Sequence, residues 1–162
     1  VSLLKFVGGK KEKSGNYTEA AAYYRQAYDL AKDAADKADL NMLLARLYQR
    51  TGDYGTSYKY ALRNTGYPDE KQAAWELIGD LWYASFQKCK EGKSIVQDRA
   101  VYLSAWKAYK KSGNQKKMTL AAQQFPSINE IFNELMKEGE ELEVNCWATD
   151  RVVIQQRKDV TQ

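Results

Sequence analysis

Residues 14–28 read SGNYTEAAAYYRQAY, and this stretch places small and aromatic residues at helical spacing directly after a glycine. Ala20, Tyr24 and Ala27 lie three or four positions apart, so they share one face of a helix. Gly15 precedes them, and glycine adopts the backbone conformations of tight turns without steric cost. The stretch therefore predicts a turn followed by a helix whose small residues allow close packing against a neighbouring helix.

The same pattern returns further along the chain. Gly52-Asp53-Tyr54 repeats Gly15-Asn16-Tyr17 after 37 residues. Two later stretches have the same spacing of large and small residues as the helix that comes before the turn glycine Gly52. They contain Trp75, Ile78, Gly79 and Trp82 in the first, and Tyr102, Ala105, Trp106, Tyr109 and Gly113 in the second. Because one helical pair cannot bury its apolar face alone, repeated pairs are expected to stack on one another.

These stretches resemble the tetratricopeptide repeat, a helix–turn–helix unit of about 34 residues. Lys11 stands where the repeat has an aromatic residue, and Ala61 and Asn64 replace its usual tyrosine and alanine. The resemblance implies an all-α fold of three to four degenerate tetratricopeptide-like hairpins in a right-handed superhelix. A plain helical bundle with similar spacing is the alternative.

We assign residues 1–137 to the helical repeats and residues 138–162 to a β-hairpin and tail packed on the same domain. The repeats are expected at about 1–34, 35–67, 69–112 and 114–137. In the tail, apolar and polar residues alternate before and after a turn predicted from Ala148 to Arg151. An isolated hairpin is marginally stable, so this one is expected to dock on the last helices.

Residues that favour helix N-termini stand before several of the expected helices. They are Asn16 and Asp69, and the capping-box pairs Ser94 with Gln97 and Ser127 with Glu130. Phe125-Pro126 is expected to end a helix.

A narrower resemblance covers roughly residues 69–157. The stretches DRAVYLSAWKAYKKSGN, QQFPSINEIF and VNCW are similar to tetratricopeptide-like proteins of the cell envelope of Bacteroides-type bacteria, although Asn145 replaces a glycine of that group. The resemblance implies export, contacts with other proteins and a disulfide between Cys89 and Cys146, without implying a reaction. In a cytosolic protein the same two cysteines would more often be free thiols.

Composition excludes several kinds of chemistry. The chain of 162 residues contains no histidine, which removes Ser-His-Asp and Cys-His arrangements and most catalytic zinc sites. Two cysteines are too few for a structural zinc site, and FVGGKKEKSG lacks the spacing of a phosphate-binding loop. We therefore expect no catalytic residue, no metal and no cofactor.

No apolar run approaches the roughly 18 to 20 residues that cross a membrane. The opening VSLLKFVGG is too short and too weakly apolar for a signal peptide. We expect a periplasmic or otherwise exported protein whose signal peptide has been removed.

Charge is distributed unevenly around a net value of +4. Residues 86–118 contain nine basic and two acidic residues, whereas residues 119–162 contain four basic and eight acidic ones. The lysines alternate with core positions of a helix, which is typical of a solvated face. We therefore expect no nucleic-acid partner.

The repeats and the missing catalytic groups together predict a non-enzymatic protein–protein interaction scaffold or a subunit of a cell-envelope assembly. It would bind a protein partner through the superhelical surface. In this repeat class the first helix of each pair lines the concave face, which gives a predicted contact set. Its members are Asn41, Arg46, Gln49, Glu76, Asp80 and Tyr83. The alternative is a carbohydrate-binding or carbohydrate-processing accessory protein that uses exposed aromatic residues such as Tyr83 and Trp106.

Overall fold

A computed structural model of the chain describes residues 1–158 and confirms a mostly helical protein with a small C-terminal hairpin. The first helices are α1 (Ser2–Lys13), α2 (Tyr17–Leu30), α3 (Ala34–Thr51), α4 (Tyr54–Asn64) and α5 (Lys71–Tyr83). They are followed by α6 (Phe86–Cys89), α7 (Ile95–Ser112), α8 (Gln115–Ala122) and α9 (Ile128–Asn133). Strands β1 (Glu141–Asn145) and β2 (Thr149–Val153) form an antiparallel pair. Residues 159–162 of the expected tail lie outside the described residues.

Two compact units divide the chain, Val1–Ala74 and Trp75–Gln162. This boundary falls inside α5. Helical spacing reports where each helix runs. The boundary depends on contacts between residues that are distant in sequence, which spacing does not report.

Three helical pairs share one kind of connection. Gly15, Gly52 and Gly113 have φ values of 81°, 86° and 79°, and each lies between two helices that pack against each other. This left-handed conformation favours glycine because it has no Cβ. The next residue is the N-cap of the second helix. The side chains of Asp53 and Asn114 accept hydrogen bonds from backbone amides three residues on, whereas the side chain of Asn16 makes no such bond.

In the first unit, α2 and α3 contribute the buried core. It consists of Ala20, Ala21, Tyr24, Ala27, Ala31, Leu40, Leu44 and Leu47. Tyr24 covers Gly8 of α1 so closely that an added Cβ would lie 2.7 Å from its Cε1 atom. The small residues therefore perform the packing role that their spacing predicts.

In the second unit, Gly79 of α5 lies under the buried ring of Tyr109 of α7. A Cβ at Gly79 would come within 3 Å of the ring carbons. Each unit thus contains a helix glycine that allows its helix to pack closely against a buried tyrosine ring.

The disulfide between Cys89 and Cys146 is present, with Cα atoms 5.6 Å apart. Cys89 is the last residue of the short helix α6. The bond spans 57 residues of sequence, and closing such a loop stabilises a fold by about 4 kcal/mol in the chain-entropy model. Beside it, the Trp147 ring lies 4.0 Å from that of Trp82, and the Trp147 indole N–H donates to Ser85 Oγ at 2.8 Å. These contacts hold the hairpin within the second unit.

The turn of the hairpin, residues 146–148, begins two residues earlier and ends three residues earlier than the sequence predicts. Thr149 pairs with Asn145, so β2 begins where the turn was expected to run from Ala148 to Arg151. Cys146 leaves the strand, and its N–H donates to the Ala148 carbonyl. Alternation of period two identifies the strands but does not fix the residue at which a strand ends. Here the turn includes Cys146, which forms the disulfide.

Two predicted capping boxes differ in outcome. Ser127 and Glu130 form the complete box at the start of α9. Ser94 accepts from the Gln97 amide, but the Gln97 side chain donates to the Glu143 carbonyl instead of returning to Ser94. The carboxylate of Glu134, distant in sequence, accepts from the Ser94 hydroxyl and from the Ile95 amide.

No helix in residues 1–158 combines the length and apolarity needed to cross a membrane.

Neighbouring glycines in α1 test the close contact with Tyr24. Gly8→Ala is expected to destabilise the fold by about 1 to 3 kcal/mol, because its Cβ would force the buried ring to move. Gly9→Ala is the matched control, since its Cβ would lie 3.7 Å from the Tyr24 hydroxyl, at ordinary contact distance. It is expected to stabilise the helix by up to about 1 kcal/mol. Urea denaturation of both variants measures the difference, and equal effects would contradict the packing argument.

Candidate protein-binding surface

Three of the predicted contact residues belong to α3. Asn41 is fully buried, and its amide donates to Asn64 Oδ1 at 3.0 Å, while Asn64 donates to the Ala38 carbonyl. The Asn41 side chain therefore lies inside the first unit and is not exposed to a partner. Asn64 stands where the repeat has alanine, and Asn41 lies opposite as its buried hydrogen-bond partner. Arg46 is exposed and Gln49 is half-buried.

Glu76 and Asp80 of α5 form contacts within the second unit. Asp80 accepts from the Tyr109 hydroxyl at 2.6 Å and from Lys117 Nζ at 2.9 Å. The Glu76 carboxylate accepts a hydrogen bond from the side-chain amide of Asn114 at 2.6 Å. Burial, and next the hydrogen bond to Asp80, raise the pKa of Tyr109. The two carboxylates thus join α5 to α7 and α8.

The same kind of network occurs in the first unit. The Tyr24 hydroxyl donates to Glu12 at 2.8 Å, and Glu12 also pairs with Arg50 at 2.9 Å. Burial, and next the bond to Glu12, raise the pKa of Tyr24. A glycine, a covering tyrosine, a carboxylate and a cation therefore occur together in both units. This recurrence explains Asp80 as a packing residue.

Tyr83, the last predicted contact residue, is half-buried in an aromatic cluster. Its ring meets Tyr102 edge-on at 5.5 Å, and Tyr102 stacks on Phe86 at 5.7 Å. Burial raises the pKa of Tyr102, with a smaller contribution from Tyr83. The six predicted residues therefore do not form one exposed surface in either unit.

A different group of side chains is exposed at the C-terminal end of the helical segment. Ile128, Phe132 and Leu135 have relative exposures of 52%, 74% and 91%. A spacing of four residues places Ile128 and Phe132 on one side of α9, and Leu135 follows directly after the C-cap of the helix. We call these three residues the C-terminal apolar surface. Large apolar side chains grouped in the open mark contact sites for other molecules.

The opposite side of α9 explains why this surface faces outward. Ile131 is buried in a small core with Val96 and Ile154, against which Met136 and Leu142 pack. The helix is therefore apolar on two sides, but only one side has a core to join. Apolar residues at 128, 131, 132 and 135 cover more than one helical face, and this was the signal available in the sequence.

Leu135 adopts a conformation that usually belongs to glycine. Its φ is 58°, directly after the α9 C-cap Glu134. The Leu135 amide donates to the Phe132 carbonyl and the Met136 amide to the Ile131 carbonyl, which is the bonding of a Schellman motif. A left-handed conformation costs a non-glycine residue roughly 1–2 kcal/mol. Neither backbone preference nor burial accounts for leucine at this position.

Electrostatically, the segment around this surface is acidic. Residues 128–145 contain six glutamates and one lysine. Glu130 and Glu134 are used in capping helices, and Glu141 pairs with Arg151. The exposed Glu138 and Glu140 follow shortly after Leu135. A partner of this surface is expected to combine apolar and basic side chains.

Comparison of the chain with protein-family models and with curated proteins found no match. Within residues 1–158 no group of three or more histidine, cysteine, aspartate or glutamate side chains could hold a metal ion.

Two exposed leucines of the second unit test the backbone strain. Leu135→Gly is expected to raise the free energy of unfolding by about 1 kcal/mol, because glycine adopts positive φ freely. Leu120→Gly, within the right-handed helix α8, is the control and is expected to lower it by about 1 kcal/mol. Urea denaturation followed by circular dichroism measures both. A loss of stability in Leu135→Gly would show that this leucine supports the fold itself.

Proposed function

We propose that this chain is a non-enzymatic protein-interaction module that binds a protein partner through the C-terminal apolar surface. The observation that carries the proposal is Leu135. Among residues 1–158 it is the most exposed of the large apolar side chains, and it is held in a left-handed conformation. Residues at interfaces lose such exposure on binding, and burial of one large apolar side chain contributes about 1.5 to 3 kcal/mol.

The scaffold we propose for this module is tetratricopeptide-like, with degenerate helical pairs in a right-handed superhelix. Its support is the repeated connection through Gly15, Gly52 and Gly113 and the small residues under Tyr24 and Tyr109. A role as a subunit of a cell-envelope assembly is part of the same proposal. Export is supported by the disulfide, because such bonds persist in oxidising compartments.

A photo-crosslinking amino acid at position 132 tests the binding proposal in the native cell envelope. We expect a defined protein adduct whose yield falls at least about tenfold, or about 1.4 kcal/mol in binding, when Leu135→Gly is added. The same amino acid at the exposed position 59, on α4, serves as the control and is expected to give no matching adduct. Adducts of equal yield from both positions, or an adduct insensitive to Leu135→Gly, would count against the surface.

Carbohydrate binding is a second candidate because of one pocket. This pocket of about 280 Å³ combines an aromatic ring with amide, hydroxyl and amine groups, which suits the stacking and hydrogen bonding of sugars. It is lined by Trp106, Gln115, Met118, Thr119, Gln123 and Lys158.

Glycan array binding tests this candidate. If the pocket binds a sugar, Gln115→Ala is expected to weaken binding at least about tenfold through the lost hydrogen bonds, whereas the exposed Gln87→Ala leaves it unchanged. An array on which the unmodified chain binds no glycan would remove the candidate.

A further inference from the structure

Helix α1 has an exposed face of its own. Leu3 and Phe6 have relative exposures of 73% and 61%, and Lys10 and Lys13 are also exposed. Spacings of three, four and three residues align these four side chains along one side of the helix. We call them the α1 surface. The other side of the helix joins the core of the first unit through Leu4 and Gly8.

A shallow pocket lies along the α1 surface. Its volume is about 540 Å³, and it is lined by Lys5, Phe6, Gly9, Lys10, Lys13 and Ser14. Gly9 has no side chain to fill the space between its neighbours, so side chains of another molecule can enter. Lys10 Nζ lies 5.1 Å from the centre of the Phe6 ring, which keeps a positive charge next to the apolar group.

The α1 surface and the C-terminal apolar surface have opposite charge. Residues 1–14 contain four lysines and one glutamate, whereas residues 128–145 contain six glutamates and one lysine. Lys10 and Lys13 form no ion pair with any residue among 1–158. Lys5 and Lys11 pair with Asp39 and Glu19, so Lys10 and Lys13 carry the uncompensated charge. One surface therefore combines exposed apolar groups with lysines, and the exposed Glu138 and Glu140 follow the other closely in sequence, so the two have opposite charge.

We propose that the occupant of the C-terminal apolar surface is a second copy of this chain, docked through its α1 surface. This inference rests on the proposed function and adds the identity of the partner. The contact joins two different surfaces, so each added copy leaves one surface of each kind free. Such a heterologous contact builds a ring if the rotation closes and an open chain if it does not.

Two single variants separate the two sides of the contact. Phe6→Ser removes the apolar group of the α1 surface, and Phe132→Ser removes that of the C-terminal apolar surface. Sedimentation velocity from about 1 µM to about 500 µM is expected to show concentration-dependent species larger than a dimer for the unmodified chain. Each variant alone is expected to associate less than the unmodified chain at every concentration, with an apparent Kd weakened at least about tenfold, or about 1.4 kcal/mol.

The mixture of the two variants is the decisive sample. The intact C-terminal surface of Phe6→Ser can bind the intact α1 surface of Phe132→Ser, and the remaining two surfaces are both defective. We therefore expect a one-to-one heterodimer that does not grow further. Raising the NaCl concentration is expected to dissociate it, since salt screens the attraction between lysines and glutamates.

Leu135→Gly is the control that separates a loss of association from a loss of folding. It relieves backbone strain, so it is expected to weaken self-association without lowering the melting temperature. Circular dichroism spectra of all three variants are expected to match that of the unmodified chain, because the substituted side chains are exposed.

Several outcomes would overturn the inference. A chain that stays monomeric throughout, or variants that fail to form the heterodimer, would do so. Binding of the α1 surface to vesicles of phosphatidylcholine and phosphatidylglycerol in a monomeric chain would assign that surface to an anionic membrane instead. If position 132 then crosslinks to a different protein, the proposed function stands and only the second copy is wrong. If it crosslinks to nothing, both fail.

Discussion

The close approach of a helix glycine to a buried tyrosine ring is the contact around which each unit is arranged. Gly8 lies under Tyr24 in the first unit, and Gly79 lies under Tyr109 in the second. Because the ring occupies the volume that a Cβ would need, only glycine permits this distance. The ring fills the space between helices, and its hydroxyl reaches a carboxylate on the glycine's own helix. Apolar packing and a charged network are thus fixed by one residue pair.

This arrangement changes the meaning of the polar residues in the helices. Glu12 and Asp80 accept a hydrogen bond from a tyrosine and pair with a cation, Arg50 and Lys117 respectively. Carboxylates placed on a regular helical face have the same spacing whether they bind a partner or a neighbouring helix. The contacts inside each unit identify these as groups that orient helices.

In the second unit, the disulfide and Trp147 determine what remains exposed. Cys146 and Trp147 attach the hairpin to α5 and α6, and Ile154 then enters the core beside Ile131 of α9. Glu134 completes the attachment by capping the start of α7. With Ile131 committed to the core, the remaining apolar residues of this short helix face outward. Leu135, which follows the helix, is more exposed than Ile128 and Phe132 and adopts a left-handed conformation.

The sequence by itself determined the helical class, the glycine turns, the capping box at Ser127 and the terminal hairpin, because each depends on residues within a few positions of one another. The disulfide was indicated through resemblance. Tertiary structure alone decided that Asn41 is buried against Asn64, and that Asp80 bonds to Tyr109. It also decided that Phe132 and Leu135 are exposed. Local periodicity shows which residues share a face. Which face finds a core depends on contacts between residues far apart in the chain, and those contacts exist only once the chain has folded.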